Sequence, residues 1–206
     1  MYRNYKILGL TLVEIVAVIS IISILMGILI PVVNSHLDNQ KKEKAKKDVQ
    51  NIAKAIIAFY STTDMWPTMD EKGRLNRVKI LITGYSIPRK NPWKTNNGFW
   101  FWIQNNGCDL LANHLISNSP KGQRSFHYPR SGKYRWRGPY IDNSTLDPWG
   151  RPYVINIISV YSNDPIKFRR MWVLSAGPDG IFQTPYKATL ADDISGDDIG
   201  ILVKQR

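Results

Sequence analysis

One long apolar segment near the N-terminus constrains this chain more than any other feature. Residues 10–33 are 24 positions with a single charged side chain, and that residue, Glu14, is the only charged one between Ile7 and Leu37. As a helix this segment would span about 36 Å, enough to cross the hydrocarbon of a bilayer. A carboxylate in hydrocarbon costs about 2.5–3.5 kcal/mol, so Glu14 should have a partner. The sequence therefore predicts a membrane helix with one polar contact near its start.

The residues before this segment do not fit a secretory signal. They include Arg3 and Lys6 and no acid, and the small residue Gly9 precedes the apolar run instead of following it. A secretory signal has an apolar core of about 7–15 residues with the small-residue cleavage site after it. An uncleaved signal anchor is the simplest alternative, but it would leave Glu14 without a role.

The same region resembles a known motif. Residues 9–22 read GLTLVEIVAVISII, and a proline follows at position 31. This pattern resembles the cleavage and assembly motif of type IV prepilins and of type II secretion pseudopilins. The resemblance implies that a prepilin peptidase cuts after Gly9, that Leu10 becomes the N-methylated first residue, and that Glu14 pairs with the amino terminus of a neighbouring subunit. Leu10 stands where the family usually has phenylalanine, and Pro31 where it has a helix-kinking proline.

The chain divides into a leader (residues 1–9), a transmembrane or filament-core helix (10–33), an amphipathic continuation of that helix (34–65) and a globular domain (66–206). The continuation is predicted because apolar side chains recur every three to four residues, at Val49, Ile52, Ala53, Ile56 and Phe59. Apolar runs predict a short helix at 78–82 and strands at 153–161, 169–175 and 199–203, with a turn at 162–165. The expected fold is α+β and pilin-like, a long helix packed on a small antiparallel sheet.

An acidic loop at residues 175–200 contrasts with the rest of the chain, which has 28 Lys and Arg against 16 Asp and Glu. The loop contains five aspartates: Asp179, Asp192, Asp193, Asp197 and Asp198. Carboxylates mixed with backbone carbonyls in a flexible loop are the ligands that calcium prefers, although the EF-hand register is missing. The residues alone leave two alternatives open, a calcium site and a solvated acidic loop.

The resemblance favours calcium. Residues 138–141 (GPYI), 146–153 (LDPWGRPY), 172–180 (WVLSAGPDG) and 191–200 are similar to segments of major pseudopilins, which close this region with a calcium loop. This implies Asp179, Asp192 and Asp193 as ligands, with Asp197 and Asp198 as alternatives. Many type IV pilins use a disulfide there instead, and the single Cys108 allows no intrachain disulfide. Residues 84–137 match nothing in the family and are predicted to be an aromatic and basic insertion.

Basic and aromatic residues alternate near the end of this insertion, where no acid occurs. The basic side chains are Lys121, Arg124, Arg130, Lys133, Arg135 and Arg137. Packing within a filament wall, with cation–π contacts, is the favoured interpretation. Nucleic acid is a weaker alternative, since arginine and aromatic surfaces hold single strands, and other polyanions are a third.

No catalytic pattern is present. The three histidines, His36, His114 and His127, lack metal-ligand spacing, and there is no G-x-S-x-G, H-E-x-x-H or phosphate-binding loop. The missing catalytic patterns argue against an enzyme, and the resemblance described above implies a structural subunit of a type II secretion pseudopilus. It would be processed by prepilin peptidase and assembled by an inner-membrane platform into a periplasmic filament that promotes protein export. The alternatives are a type IV pilus or DNA-uptake pilin subunit and, less favoured, a signal-anchored surface enzyme.

The predicted location is the bacterial inner membrane, with one span, a cytoplasmic N-terminus and a periplasmic or extracellular C-terminal domain. The charges flanking the span argue for the opposite orientation. Arg3 and Lys6 precede the span, whereas five lysines follow it between residues 41 and 47. Loops rich in Lys and Arg favour the cytoplasmic side of a membrane, so these charges would place the C-terminal side of the span there. The orientation predicted above is the one that the resemblance implies.

Overall fold

A computed structural model describes residues 11–86, 107–157, 170–184 and 194–204. The chain forms two compact units, Met1–Gln40 and Lys41–Arg206. The first helix, α1, runs from Leu12 to Thr63 and includes Pro31. Within the described residues it is the one helix that is long and apolar enough to cross a membrane. None of its residues before Ala45 is buried, as the sequence predicts for a segment that needs an apolar surrounding.

The second unit packs the C-terminal part of α1 against a sheet. The buried residues of α1 include the predicted stripe: Val49, Ile52, Ala53, Ile56 and Phe59. They share one core cluster with sheet residues such as Leu81, Ile155 and Val173. The Thr63 hydroxyl donates to the Phe59 carbonyl at 2.8 Å, and Asp64 adopts a left-handed φ of 54°, which ends the helix. The predicted end of α1 and its packing on a sheet are confirmed.

Within the described residues the sheet has five strands and is mixed, so the prediction of a purely antiparallel sheet is wrong. Its strands are β1 (Ile80–Ile82), β2 (Cys108–Leu110), β3 (Val154–Asn156), β4 (Arg170–Ser175) and β5 (Ile199–Lys204). Their order is β2-β1-β3-β4-β5, with β1 parallel to β2 and every other neighbouring pair antiparallel. The strands predicted at 153–161, 169–175 and 199–203 overlap β3, β4 and β5, and residues 158–161 and 169 of the first two lie outside the described residues. The short helix predicted at 78–82 is wrong, because this segment forms β1. The turn predicted at 162–165 lies outside the described residues.

The predicted insertion contributes to the core. Its described part forms β2, the short helix α2 (Leu111–Leu115) and a 3₁₀ turn (Pro120–Gly122). Leu111, Leu115 and Tyr128 are completely buried in the same cluster as the stripe of α1. Residues 87–106 of this segment lie outside the described part. The described residues of the segment thus extend the sheet and pack against the helix.

Candidate functional site

The start of α1 holds Glu14 in a capping box. The Glu14 carboxylate accepts the Thr11 N–H at 2.8 Å and the Thr11 hydroxyl at 2.7 Å, and the Glu14 N–H donates to Thr11 Oγ1 at 3.3 Å. This reciprocal pairing of a threonine with a glutamate three residues later satisfies N–H groups that a helix start leaves unpaired. Glu14 therefore has a role within its own chain, and its sequence signal is the T-x-x-E pattern at Thr11.

Glu14 nevertheless keeps one oxygen free. All its side-chain hydrogen bonds within the described residues use Oε2, and Glu14 is exposed. Leu12 near it is 78% exposed, and the apolar residues of α1 up to Val33 are all exposed as well. Gly9 and Leu10, the predicted cleavage and methylation positions, lie outside the described residues.

Pro31 lies inside α1. Because proline has no N–H, it cannot donate the helical hydrogen bond to the carbonyl of Gly27, four residues earlier. Nothing lies within 4 Å of the position that a Gly27 side chain would occupy. Pro31 therefore marks a local weak point in the hydrogen-bond ladder of the apolar segment.

The described aspartates of the acidic loop meet at Gln183. The Gln183 side-chain amide donates to Asp179 Oδ2 and to Asp197 Oδ1, both at 2.8 Å. Asp198 Oδ2 accepts the N–H groups of Gln183 and Thr184 at 3.0 and 2.7 Å. Asp198 Oδ1 is buried and has no hydrogen-bond partner in the described part of the chain. Burial raises the pKa of Asp198, and the hydrogen bonds from Thr184 and Gln183 oppose that rise in part.

Close backbone packing holds this loop in place. The Arg151 guanidinium donates to the carbonyls of Gly177 and Pro178 at 2.7 and 3.0 Å. A side chain on Gly177 would meet the Asp197 carbonyl, since its Cβ would lie 2.1 Å from that oxygen and its φ is +59°. The two ends of the predicted calcium loop are therefore in contact through backbone atoms.

The donor set fits a cation in part. Two carboxylates converge on one point, and Asp198 supplies a buried oxygen without a partner, whereas calcium takes six to eight oxygens. No group of three or more His, Cys, Asp or Glu side chains suited to a metal occurs within the four described ranges. The carbonyls of Gly177 and Pro178 already bind Arg151. Asp192 and Asp193 lie outside the described residues.

The predicted polyanion residues separate into two groups. Lys121 faces inward, because its ammonium donates to the Cys108 carbonyl and its N–H donates to Asp109 Oδ2 at 2.6 Å. The other five cations are exposed: Arg124, Arg130, Lys133, Arg135 and Arg137. Lys121 is therefore a structural residue, and the exposed five define a surface.

A buried polar network, which no sequence motif indicates, lies beneath this surface. His114 Nε2 lies 2.8 Å from Asp109 Oδ2, and His114 Nδ1 lies 2.8 Å from the Tyr128 hydroxyl, which accepts the Met69 N–H at 3.1 Å. Asp109 is 2% exposed and His114 is completely buried. Because a carboxylate only accepts, His114 donates its Nε2–H to Asp109. These residues are spaced irregularly along the chain and meet only in the folded unit.

The network shifts the pKa of its ionisable neighbours. Burial alone would raise the pKa of Asp109, but the hydrogen bond and charge of His114, with the hydrogen bonds from Lys121 and Asn113, hold that pKa below its usual value. Burial raises the pKa of the neighbouring Cys108 thiol to about 12. Cys108 is therefore a protonated core residue at neutral pH.

Comparison with known proteins gives no relative: no family model matches the chain, and no curated protein or solved structure matches it significantly. Function is therefore inferred from the motif at residues 9–22, the properties of α1 and the surfaces described above.

Proposed function

We propose that this chain is a prepilin-like subunit of a type II secretion pseudopilus. A prepilin peptidase would remove residues 1–9, and the apolar part of α1 would first anchor the subunit in the inner membrane. Inner-membrane assembly proteins would then bring subunits together into a periplasmic filament that promotes protein export. The protein's own role in this proposal is structural.

One observation supports the proposal above all. A single helix, Leu12–Thr63, begins with an apolar segment whose residues are all exposed and ends with an apolar stripe that is buried in a folded core. An exposed apolar surface of this size needs lipid or other protein around it. A filament subunit needs both surroundings in succession, since it is stored in the bilayer and then packed against its neighbours. The glycine five residues before Glu14 supports processing at the start of this helix.

Processing is the direct test. When the full chain is co-produced with a prepilin peptidase, we expect an intact mass and N-terminal sequence that start at Leu10 with one added methyl group. Gly9→Val should leave the chain starting at Met1, because the resemblance implies cleavage after a small residue at this position. A wild-type chain that keeps residues 1–9 under the same conditions would contradict the proposal and favour a signal anchor.

Calcium is the second part of the proposal. Asp179 and Asp197 would hold the ion where the Gln183 amide now donates to both, with further oxygens from the same loop. When bound, calcium neutralises carboxylates that otherwise repel one another. Asp198 would be a further ligand, since its free oxygen is buried.

The calcium prediction concerns thermal stability. We expect the full chain in neutral detergent to melt about 5–10 °C higher in calcium than in chelator, because ligand at a hundredfold excess over Kd stabilises the folded form by about 2.7 kcal/mol. Asp179→Asn should remove this difference, whereas Asp142→Asn, at an exposed acid outside the loop, should retain it. Equal melting temperatures for the wild type in both buffers would rule the site out.

A further inference from the structure

Residues 124–137 form an exposed, positively charged surface, here called the cationic loop. Its five exposed cations make no ion pair and no side-chain hydrogen bond within the described part of the chain. Lys133 makes a cation–π contact, with its ammonium 4.9 Å from the centre of the Tyr134 ring. No acidic residue occurs between Asp109 and Asp142. Clustered like charges repel one another, so this arrangement stabilises nothing within the described part of the subunit. It favours an external partner that carries negative charge.

The cationic loop is held at two points by the same buried histidine. The Tyr128 hydroxyl contacts His114 Nδ1 at 2.8 Å, and the Trp136 indole N–H donates to the His114 carbonyl at 3.0 Å. The Trp136 backbone N–H also donates to the Pro129 carbonyl at 2.6 Å, which closes the loop tip at residues 130–135. Asn118 pairs with the backbone of Tyr128 in both directions. The loop tip is therefore fixed before any partner binds, which lowers the entropy cost of binding.

The chemistry of the cationic loop distinguishes between polyanions. Four of its five cations are arginines, whose planar guanidinium groups bind phosphate in a bidentate way and stack on flat rings. Two aromatic side chains are exposed among them, with Phe126 43% and Tyr134 45% accessible. No Leu, Ile, Val or Met occurs between residues 117 and 140. Binding to a membrane surface depends on the apolar area that is buried in the lipid, and two rings without aliphatic neighbours offer little such area. Single-stranded nucleic acid offers phosphates for the arginines and unstacked bases for the rings.

We propose that the cationic loop binds single-stranded nucleic acid, with Arg130, Arg135 and Arg137 on the phosphates and Tyr134 stacked on a base. Binding is independent of sequence, because every base has a flat face for Tyr134 and the loop offers no fixed set of base-edge contacts. This role does not depend on filament assembly.

The first test separates stacking from charge. The full chain in neutral detergent is titrated with a fluorescent oligo-dT and with an abasic strand of the same length, which keeps the phosphates and lacks the bases. We expect the wild type to bind oligo-dT roughly 5- to 150-fold more tightly, which is the range of stacking one base on an aromatic ring. Tyr134→Ala should lose this preference. Equal binding of both strands by the wild type would overturn the proposal in favour of a general polyanion surface.

The second test locates the phosphate contacts. Arg130→Gln with Arg135→Gln should weaken oligo-dT binding and reduce the slope of log K against log salt by about 1.4, or about 0.7 for each phosphate that the variant no longer neutralises. The matched control is Lys41→Gln with Lys42→Gln, which removes the same charge from exposed positions on α1. All four positions are exposed, so the variants should fold as the wild type does. An equal decrease in affinity for both double variants would overturn the assignment to the cationic loop.

Discussion

Glu14→Gln is expected to abolish filament assembly while leaving the start of α1 capped. Glutamine can replace glutamate in a capping box, so the hydrogen bond from the Thr11 N–H, 2.8 Å long in the wild type, is retained. What the variant loses is the negative charge on the carboxylate. If a neighbour's amine at Leu10 pairs with that charge in the apolar filament core, the amine is left without its counter-ion. Removing one partner of a buried ion pair costs about 3–5 kcal/mol.

The comparison with two further variants makes this prediction specific. Thr11→Ala removes the capping hydroxyl and keeps the charge, so it should cost about 0.5–2 kcal/mol and reduce assembly only partly. Glu14→Ala removes both functions and should fail as Glu14→Gln does. Filament yield is measured by sedimentation and electron microscopy after confirming that each variant is processed. Normal filaments from Glu14→Gln together with none from Glu14→Ala would mean that Glu14 acts as a helix cap only.

Asp109→Ala is expected to unfold much of the second unit. Four donors lose their acceptor at once, at distances of 2.6–2.8 Å in the wild type: the N–H groups of Leu110 and Lys121, the Asn113 amide and His114 Nε2. Each buried donor left without a partner costs about 1–3 kcal/mol. Whole domains are stable by only about 5–15 kcal/mol. Urea unfolding of the full chain in detergent, followed by tryptophan fluorescence, should therefore shift to a much lower midpoint.

The pH dependence of folding stability tests the role of Asp109 in the same network with a smaller perturbation. Because the pKa of Asp109 is lower in the folded chain than in the unfolded chain, its stabilising contribution is complete above the unfolded pKa of about 4 and is lost as the pH falls through the folded value. Asp109→Asn keeps the size of the side chain and cannot titrate. We expect the wild type to lose more stability than this variant as the pH falls below about 4. Parallel pH curves for the two proteins would show that Asp109 is not linked to folding.

The parts of the fold that can be predicted from sequence are those with a local period or a long apolar run. The α1 stripe repeats every three to four residues, and β4 and β5 stand out as runs of apolar residues. The type of β1 cannot be predicted in this way, because its three residues are all buried and no alternation separates a strand from a helix. Its parallel partner β2 cannot be predicted either, since the pairing of Ile80 with Cys108 joins residues far apart in the sequence.

The functional surfaces are predictable to different degrees. The excess of cations in the cationic loop is visible in the sequence. The contacts of Tyr128 and Trp136 with His114, which hold this loop, cannot be predicted because they form only in the folded chain. The sequence predicts Lys121 as a polyanion contact with the other five cations, but its ammonium donates to the Cys108 carbonyl. Charge alone does not tell which way a side chain faces. The T-x-x-E signature at Thr11 is local and can be recognised in the sequence, whereas the proposed partner of the second Glu14 oxygen belongs to another chain. Sequence patterns fail where long-range packing, rather than local spacing, decides the contact.

The position of β1 in the strand order has a consequence for how this protein reaches its native state. β1 lies between β2 and β3, so Ile80 pairs with Cys108 on one side and with Asn156 on the other. The sheet therefore cannot grow as a series of hairpins, and its centre closes only when residues far along the chain have arrived. Contacts of such long sequence separation slow folding. Until β3 docks, the core cluster that includes the stripe of α1 is incomplete and part of its apolar surface stays exposed, which favours protection by a chaperone during this interval.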